Sequence, residues 1–169
     1  MQAMGILHSE RPSKELAMNG GGNELIQVWI NTPARSKMEV PYYKSLSEQQ
    51  TPKIIEEKSS IAVVTGDYKG IIGSIYTYSP QTILRVDAEV GAQLSIPLPH
   101  HFNTFVYLLD GEIETDHQHA QGKDMIYFNN DESTVLLKVN QTSRFIVLSG
   151  EPIAEPIVSF GPFVMNTQR

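Results

Sequence analysis

The sequence predicts an all-β fold, a small antiparallel barrel, on three observations. Apolar runs at 125–128, 134–139 and 144–149 are short, and the turn-forming stretches Asn129-Asn130-Asp131, Asn140-Gln141 and Gly150-Glu151-Pro152 separate them. Such runs, at a spacing of roughly 8–12 residues, are the pattern of sandwiches and barrels. A central run at 104–109, TFVYLL, is β-branched, aromatic or leucine throughout, and Asp110-Gly111 closes it with the strongest short signal for a hairpin turn. The segment 83–90 alternates, with Ile83, Arg85, Asp87 and Glu89 on one face and Leu84, Val86, Ala88 and Val90 on the other, as a half-buried strand does.

In chain order, residues 1–7 run into His8-Ser9-Glu10 without a polar start, so the chain is expected to begin partway through a structural unit. Asn19-Gly20-Gly21-Gly22-Asn23 reads as a loop and 25–30 as a strand. A phosphate-binding loop would need a helix N-terminus after those glycines, where a strand is expected instead. Residues 33–38 suit one helical turn with Thr32 as cap and Pro33 at its first position, and 45–50 a second turn capped by Ser45 or Ser47. Strands are expected at 51–56, 61–64 and 70–73. The alternating segment then leads through Gly91 to the central run, after which 112–115 resumes extended character and 116–122 is a polar loop.

A chain of 169 residues can hold one sizeable core, or one barrel and part of another. Hydrophobic residues at 40% and charged residues at 19% exclude wholesale disorder. The net charge of −6 argues against nucleic acid as a direct ligand, because that affinity comes from Lys and Arg neutralising phosphates. The absence of cysteine excludes disulfides, thiolate metal sites and Cys nucleophiles. It also favours an intracellular setting, cytoplasmic or, in a eukaryote, nuclear. No apolar run reaches the roughly 18 residues of a membrane span, so a soluble protein is expected. Neither a Gly-x-Ser-x-Gly elbow nor a His-Glu-x-x-His helix is present. Trp29 and the pair Tyr42-Tyr43 are read as packing residues rather than a stacking platform.

Four stretches, GILHSERP (5–12), IQVWINTPARSKMEVPYY (26–43), FVYLLDGEIE (105–114) and LSGEPIAEPIVSFGPFVMNT (148–167), together resemble the pirin family of the cupin superfamily. The resemblance spans essentially the whole chain. It implies the tail of a first cupin barrel with a linking segment over 1–50, and a complete second, jelly-roll-like barrel over 51–169. In the family the first barrel holds iron through a His-x-His pair, a further His and a Glu two residues after it. His8 and Glu10 match that last pair, and their i, i+2 spacing on a strand points both side chains to one face, where they can share a metal ion. The first pair has no counterpart here.

Aligning the second barrel on Tyr107 to Gly111 sets Pro97, Pro99 and Asn103 at the ligand positions, which is no ligand set. His100 and His101 are adjacent, so an extended chain points them to opposite faces, and they read as a solvent-facing loop. Asp116, His117 and His119 read as a polar hairpin tip. The resemblance implies an iron-dependent dioxygenase acting on flavonols such as quercetin once the metal site is completed. The alternatives are a non-enzymatic, iron-containing transcriptional co-regulator working through protein contacts, and a metal-free fragment. Pirins usually continue past the Gln168-Arg169 end into a terminal helix, so truncation at both ends is expected. A swapped homodimer would supply the missing strands.

Overall fold

The computed structural model describes Ser9, residues 11–116 and residues 118–168. The chain divides into two compact units: one is 44–154, and the other comprises the described residues up to 43 with those from 155 on.

In unit 44–154 a 3-10 turn, Glu48–Gln50, precedes the first strand, and the Gln50 side chain accepts from the Ser47 backbone N–H at 3.0 Å. Strands follow as β1 (Lys53–Glu56), β2 (Ser59–Thr65), β3 (Asp67–Tyr68), β4 (Ile71–Ile72), β5 (Gln81–Ala88), β6 (Gln93–Pro97), β7 (Asn103–Thr115), β8 (Gln118–Gln121), β9 (Met125–Phe128) and β10 (Thr134–Gly150). All but β3 and β4, which pair with each other, lie in one eight-stranded sheet whose main path is β1-β2-β5-β10-β7-β8. In it β6 pairs with β10, and β9 with β7. Every pairing between these strands is antiparallel. The all-β antiparallel architecture read from the sequence is the one observed.

Two long strands turn this sheet into a barrel. The first part of β10 pairs with β6 and its second part with β5, while β7 runs along its other edge from Lys138 to Gly150. On its far edge β7 meets β9 near its start and β8 near its end. The hairpin expected at Asp110-Gly111 is therefore absent: the chain continues as one strand, and Asn140-Gln141 likewise lies inside β10. The glycine serves a bulge instead. Thr104, Val106 and Leu108 are buried before it, Ile113 and Thr115 after it, so the buried phase moves by one residue. The β7–β10 register shifts over the same stretch. An extra residue in one strand is what a bulge inserts, and without it the inward side chains of one half would point to solvent.

Gly111 has φ +91°, and a Cβ there would meet Ser143 Oγ at 2.1 Å and the Thr142 carbonyl at 2.5 Å, which leaves room for glycine alone. Ser143 Oγ accepts from the Glu112 N–H at 3.1 Å and donates to the Gln141 carbonyl at 2.6 Å. Asp110 accepts from Arg144 Nε at 2.7 Å and from the Arg144 backbone N–H at 3.2 Å. The two bends are thus tied together side by side.

The barrel interior is filled from the inward face of each strand. Leu84 and Val86 from β5, Ile96 from β6, Val106 and Leu108 from β7, and Phe145 and Val147 from β10 have no exposed surface. Each such side chain contributes about 1.5–3 kcal/mol by leaving water. The alternation expected over 83–90 holds to Ala88, where the strand stops, and Val90 is exposed.

The other unit carries little regular structure. Helix α1 (Lys14–Asn19) starts at Ser13, whose Oγ accepts from the Leu16 N–H at 3.1 Å. Ala34–Ser36 is a 3-10 turn following Pro33, within the turn expected at 33–38. Strands β11 (Val158–Phe160) and β12 (Phe163–Met165) form a hairpin. The strand expected at 25–30 is not formed: those residues pair with no strand, and Leu25 and Trp29 are exposed. A strand-like composition stabilises a strand only where an edge is available to pair with it. Tyr43 is exposed too, so Trp29 and Tyr43 are not packing residues within the described chain.

Candidate functional site

The metal ligands expected from the sequence, His8 and Glu10, lie outside the described residues, as does His117. Among the described residues no group of three His, Cys, Asp or Glu side chains could hold a metal ion. At the positions that the resemblance aligns with metal ligands, Pro97 ends β6, Pro99 lies in the following turn, and Asn103 opens β7, where its Oδ1 accepts from Asn130 Nδ2 at 3.4 Å. These groups do not fit iron, which needs several imidazole or carboxylate donors. His100 and His101 are exposed, their rings edge to face with centroids 5.4 Å apart, and His101 Nε2 lies 3.9 Å from Glu151 Oε1. They form the solvent-facing loop the sequence suggested.

The same end of the barrel nevertheless holds a cleft of about 250 Å³. Three separate stretches build it: the β6–β7 turn, the β7–β8 tip and the strand β9 with the loop leading into β10. Of the residues that line it, Leu98, Phe102 and Val135 are buried, as are Thr104 and Thr115. Thr104 Oγ1 shares a 2.8 Å hydrogen bond with Ser149 Oγ, so that hydroxyl is satisfied within the barrel. Ile126 and Phe128, half-buried, pack on the core from β9. Toward the mouth stand Asp116, Gln118, Asn129, Asp131 and Glu132. Sequence reading missed this cleft because no single stretch carries it; Asn129-Asn130-Asp131 showed only as a turn.

A polar cluster covers the outside of the sheet where β7, β8 and β10 meet. Asn140 Nδ2 donates to Glu112 Oε1 at 3.4 Å and to Glu114 Oε2 at 3.3 Å, and lies 3.4 Å from His119 Nδ1. Lys138 pairs with Glu114 at 3.2 Å. The Asn140 hydrogen bond first, then Lys138, hold the Glu114 carboxyl below its usual value. His119 therefore sits within a strand rather than at the tip, and its neighbours are already engaged with one another.

In the smaller unit, two of the stretches that carry the family resemblance are joined. Glu155 Oε2 accepts from the Ala34 N–H at 2.7 Å and from Asn166 Nδ2 at 3.1 Å, and Asn166 also donates to the Pro156 carbonyl at 2.9 Å. Lys37, 8% exposed, donates to Asn31 Oδ1 at 2.6 Å. Burial lowers its pKa, opposed by the charge of Glu155.

Residues 83–169 match the family described as the pirin C-terminal cupin domain. Human pirin is 33% identical over 98% of this chain, and a Pseudomonas aeruginosa protein provisionally named quercetin 2,3-dioxygenase is 31% identical over 99% of it. The chain spans 57% and 59% of the lengths of these two relatives. The crystal structure of a quercetin 2,3-dioxygenase from Acinetobacter baumannii superposes with TM-score 0.79 at 29% identity, covering 83% of this chain and 50% of that one. The two-stranded bend of the barrel and this agreement in sequence lead to one conclusion: the chain belongs to the pirin family, and its residues 83–169 match the family's C-terminal cupin domain.

Proposed function

We propose that this chain is part of a pirin-type, iron-dependent dioxygenase acting on a flavonol such as quercetin, with its second barrel serving as a metal-free scaffold. The observation that carries this reading is the Acinetobacter quercetin 2,3-dioxygenase, alike in both fold and sequence. The barrel described has no donor set for iron, so the proposal assigns the metal to the remnant of the first barrel, residues 1–50, with His8 and Glu10 as two ligands. Two donors hold iron weakly. The remaining donors come from outside this chain's visible ligand set, through a second copy of the chain or the strands its relatives carry. Residues 51–169 are the second barrel in this division.

The test is metal content per chain on protein purified without an affinity tag, repeated after His8→Ala, with quercetin turnover measured on the same samples. About one iron per chain and quercetin turnover, both lost in the variant, are expected if the site is completed on association. Iron retained by the variant, or absent from the unmutated chain, overturns the assignment. Iron bound at His8 without quercetin turnover would instead favour the co-regulator reading.

A further inference from the structure

Outside the barrel, one short stretch carries chemistry of its own. We propose that Asn19 is a site of spontaneous covalent modification, which turns its amide into aspartate and isoaspartate through a cyclic imide with Gly20, and that helix α1 governs the rate. The proposal goes beyond the dioxygenase reading and stands whether or not iron is held at His8 and Glu10.

The step needs a nucleophile and a leaving group, and this stretch supplies both. The backbone nitrogen of Gly20 attacks Cγ of Asn19. The new N–C bond closes a five-membered ring, and the side-chain nitrogen departs as ammonia with the proton that Gly20 gives up. Water then opens the ring at either carbonyl. One opening leaves aspartate and the other isoaspartate, whose backbone runs through the side chain and is longer by a methylene. Nothing is oxidised or reduced. A Cβ on the residue after asparagine crowds this attack, and glycine has none. Asn19 is the only asparagine of the sequence that a glycine follows.

The fold decides when the attack can happen. Asn19 is the last residue of α1, and both it and Gly20 are exposed. The Gly20 N–H donates to the Leu16 carbonyl at 3.0 Å, so the attacking nitrogen is engaged while the last helical turn is closed. Attack therefore waits for that turn to open. Opening is easy here, because the helix has six residues, none of them buried. At its start it is held by Ser13, whose Oγ accepts from the Leu16 N–H at 3.1 Å. Gly20 has φ +69° and no atom within 4 Å of where a Cβ would stand, so the joint after the helix is uncrowded. Asp110-Gly111, the sequence's one aspartate–glycine pair, makes the contrast: it lies inside β7, and Arg144 Nε donates to the Asp110 carboxylate at 2.7 Å.

The test is incubation of the full 169-residue chain at pH 8, followed by mass spectrometry of tryptic peptides and by enzymatic methylation of isoaspartate. Trypsin releases residues 15–35 as one peptide, in which Asn23 and Asn31 are built-in references. Asn19 is expected to convert about tenfold faster than either. Ser13→Ala, which removes an exposed helix cap, should speed Asn19 about threefold and leave the two references unchanged. Gly20→Ala loosens the other end of the helix yet should slow Asn19 about tenfold, because the new Cβ crowds the attack. The proposal is overturned if Asn23 or Asn31 converts as fast as Asn19, if the Ser13 variant leaves the Asn19 rate unchanged or lowers it, or if the Gly20 variant converts as fast as the unmutated chain.

Discussion

At the scale of single residues, Gly111 and its neighbours set the geometry of the barrel. Replacing Gly111 by alanine puts a Cβ 2.1 Å from Ser143 Oγ at a positive φ, and about 3 kcal/mol of destabilisation is expected in urea unfolding. Gly20→Ala is the control: its φ is +69° with nothing within 4 Å, so only the backbone term of about 1 kcal/mol applies. The Asp110–Arg144 pair predicts a pH response. The Arg144 hydrogen bonds hold the Asp110 carboxyl below its ordinary value. Its contribution is therefore complete above the unfolded pKa of about 3.9 and is lost as pH falls through the folded value. Both side chains are about half exposed, so solvent limits the effect to about 1 kcal/mol. Asp110→Asn should be less stable than the unmutated chain at pH 7 by about that amount, and the difference should vanish near pH 2 in denaturant titrations. The sequence made Asp110-Gly111 legible as a place where φ turns positive, but not as a bulge. A turn and a bulge use the same glycine, and what separates them is Thr142 and Ser143 standing opposite, about thirty residues on.

At the scale of elements, strands whose burial is set within one segment were legible and those that depend on a distant partner were not. The alternation of β5 from Leu84 to Ala88 is its own evidence, and the apolar runs of β9 and of both halves of β10 were found. Helix α1 was overlooked because none of its residues is buried, so it has no apolar stripe to reveal it. The run at 25–30 misled for the opposite reason, being apolar without an edge to pair with. Phe145, with no exposed surface in β10, gives the strand-scale prediction: Phe145→Ala should cost about 3–5 kcal/mol in denaturant unfolding. In the smaller unit, Glu155→Ala should strip the acceptor from the Ala34 N–H and from Asn166. Amide exchange at Ala34 and through 155–166 should then quicken by about tenfold, as loss of roughly 1–2 kcal/mol implies, with the barrel amides unchanged.

At the scale of the whole molecule, the fold class was fully legible, because composition, strand spacing and the family stretches agree with one another. The sites were less so. His8 and Glu10 came from the resemblance, and the cleft is assembled from stretches spread over almost forty residues. The entire apolar core cluster falls between Ile61 and Val147. Residues 44–154 produced alone should therefore unfold in a single cooperative transition by circular dichroism, and a broad, non-cooperative melt would show that the core is incomplete without the rest. One consequence of the long strand β10 belongs to synthesis rather than to the finished protein. It alone joins β5, β6 and β7; without it the sheet falls into β1-β2-β5, an unpaired β6, and β7 with β8 and β9. A ribosome adding about 5–20 residues per second leaves those pieces waiting for seconds with open edges until Gly150 emerges. The nascent chain is thus exposed to mispairing and to chaperones until its last barrel strand arrives and closes the barrel.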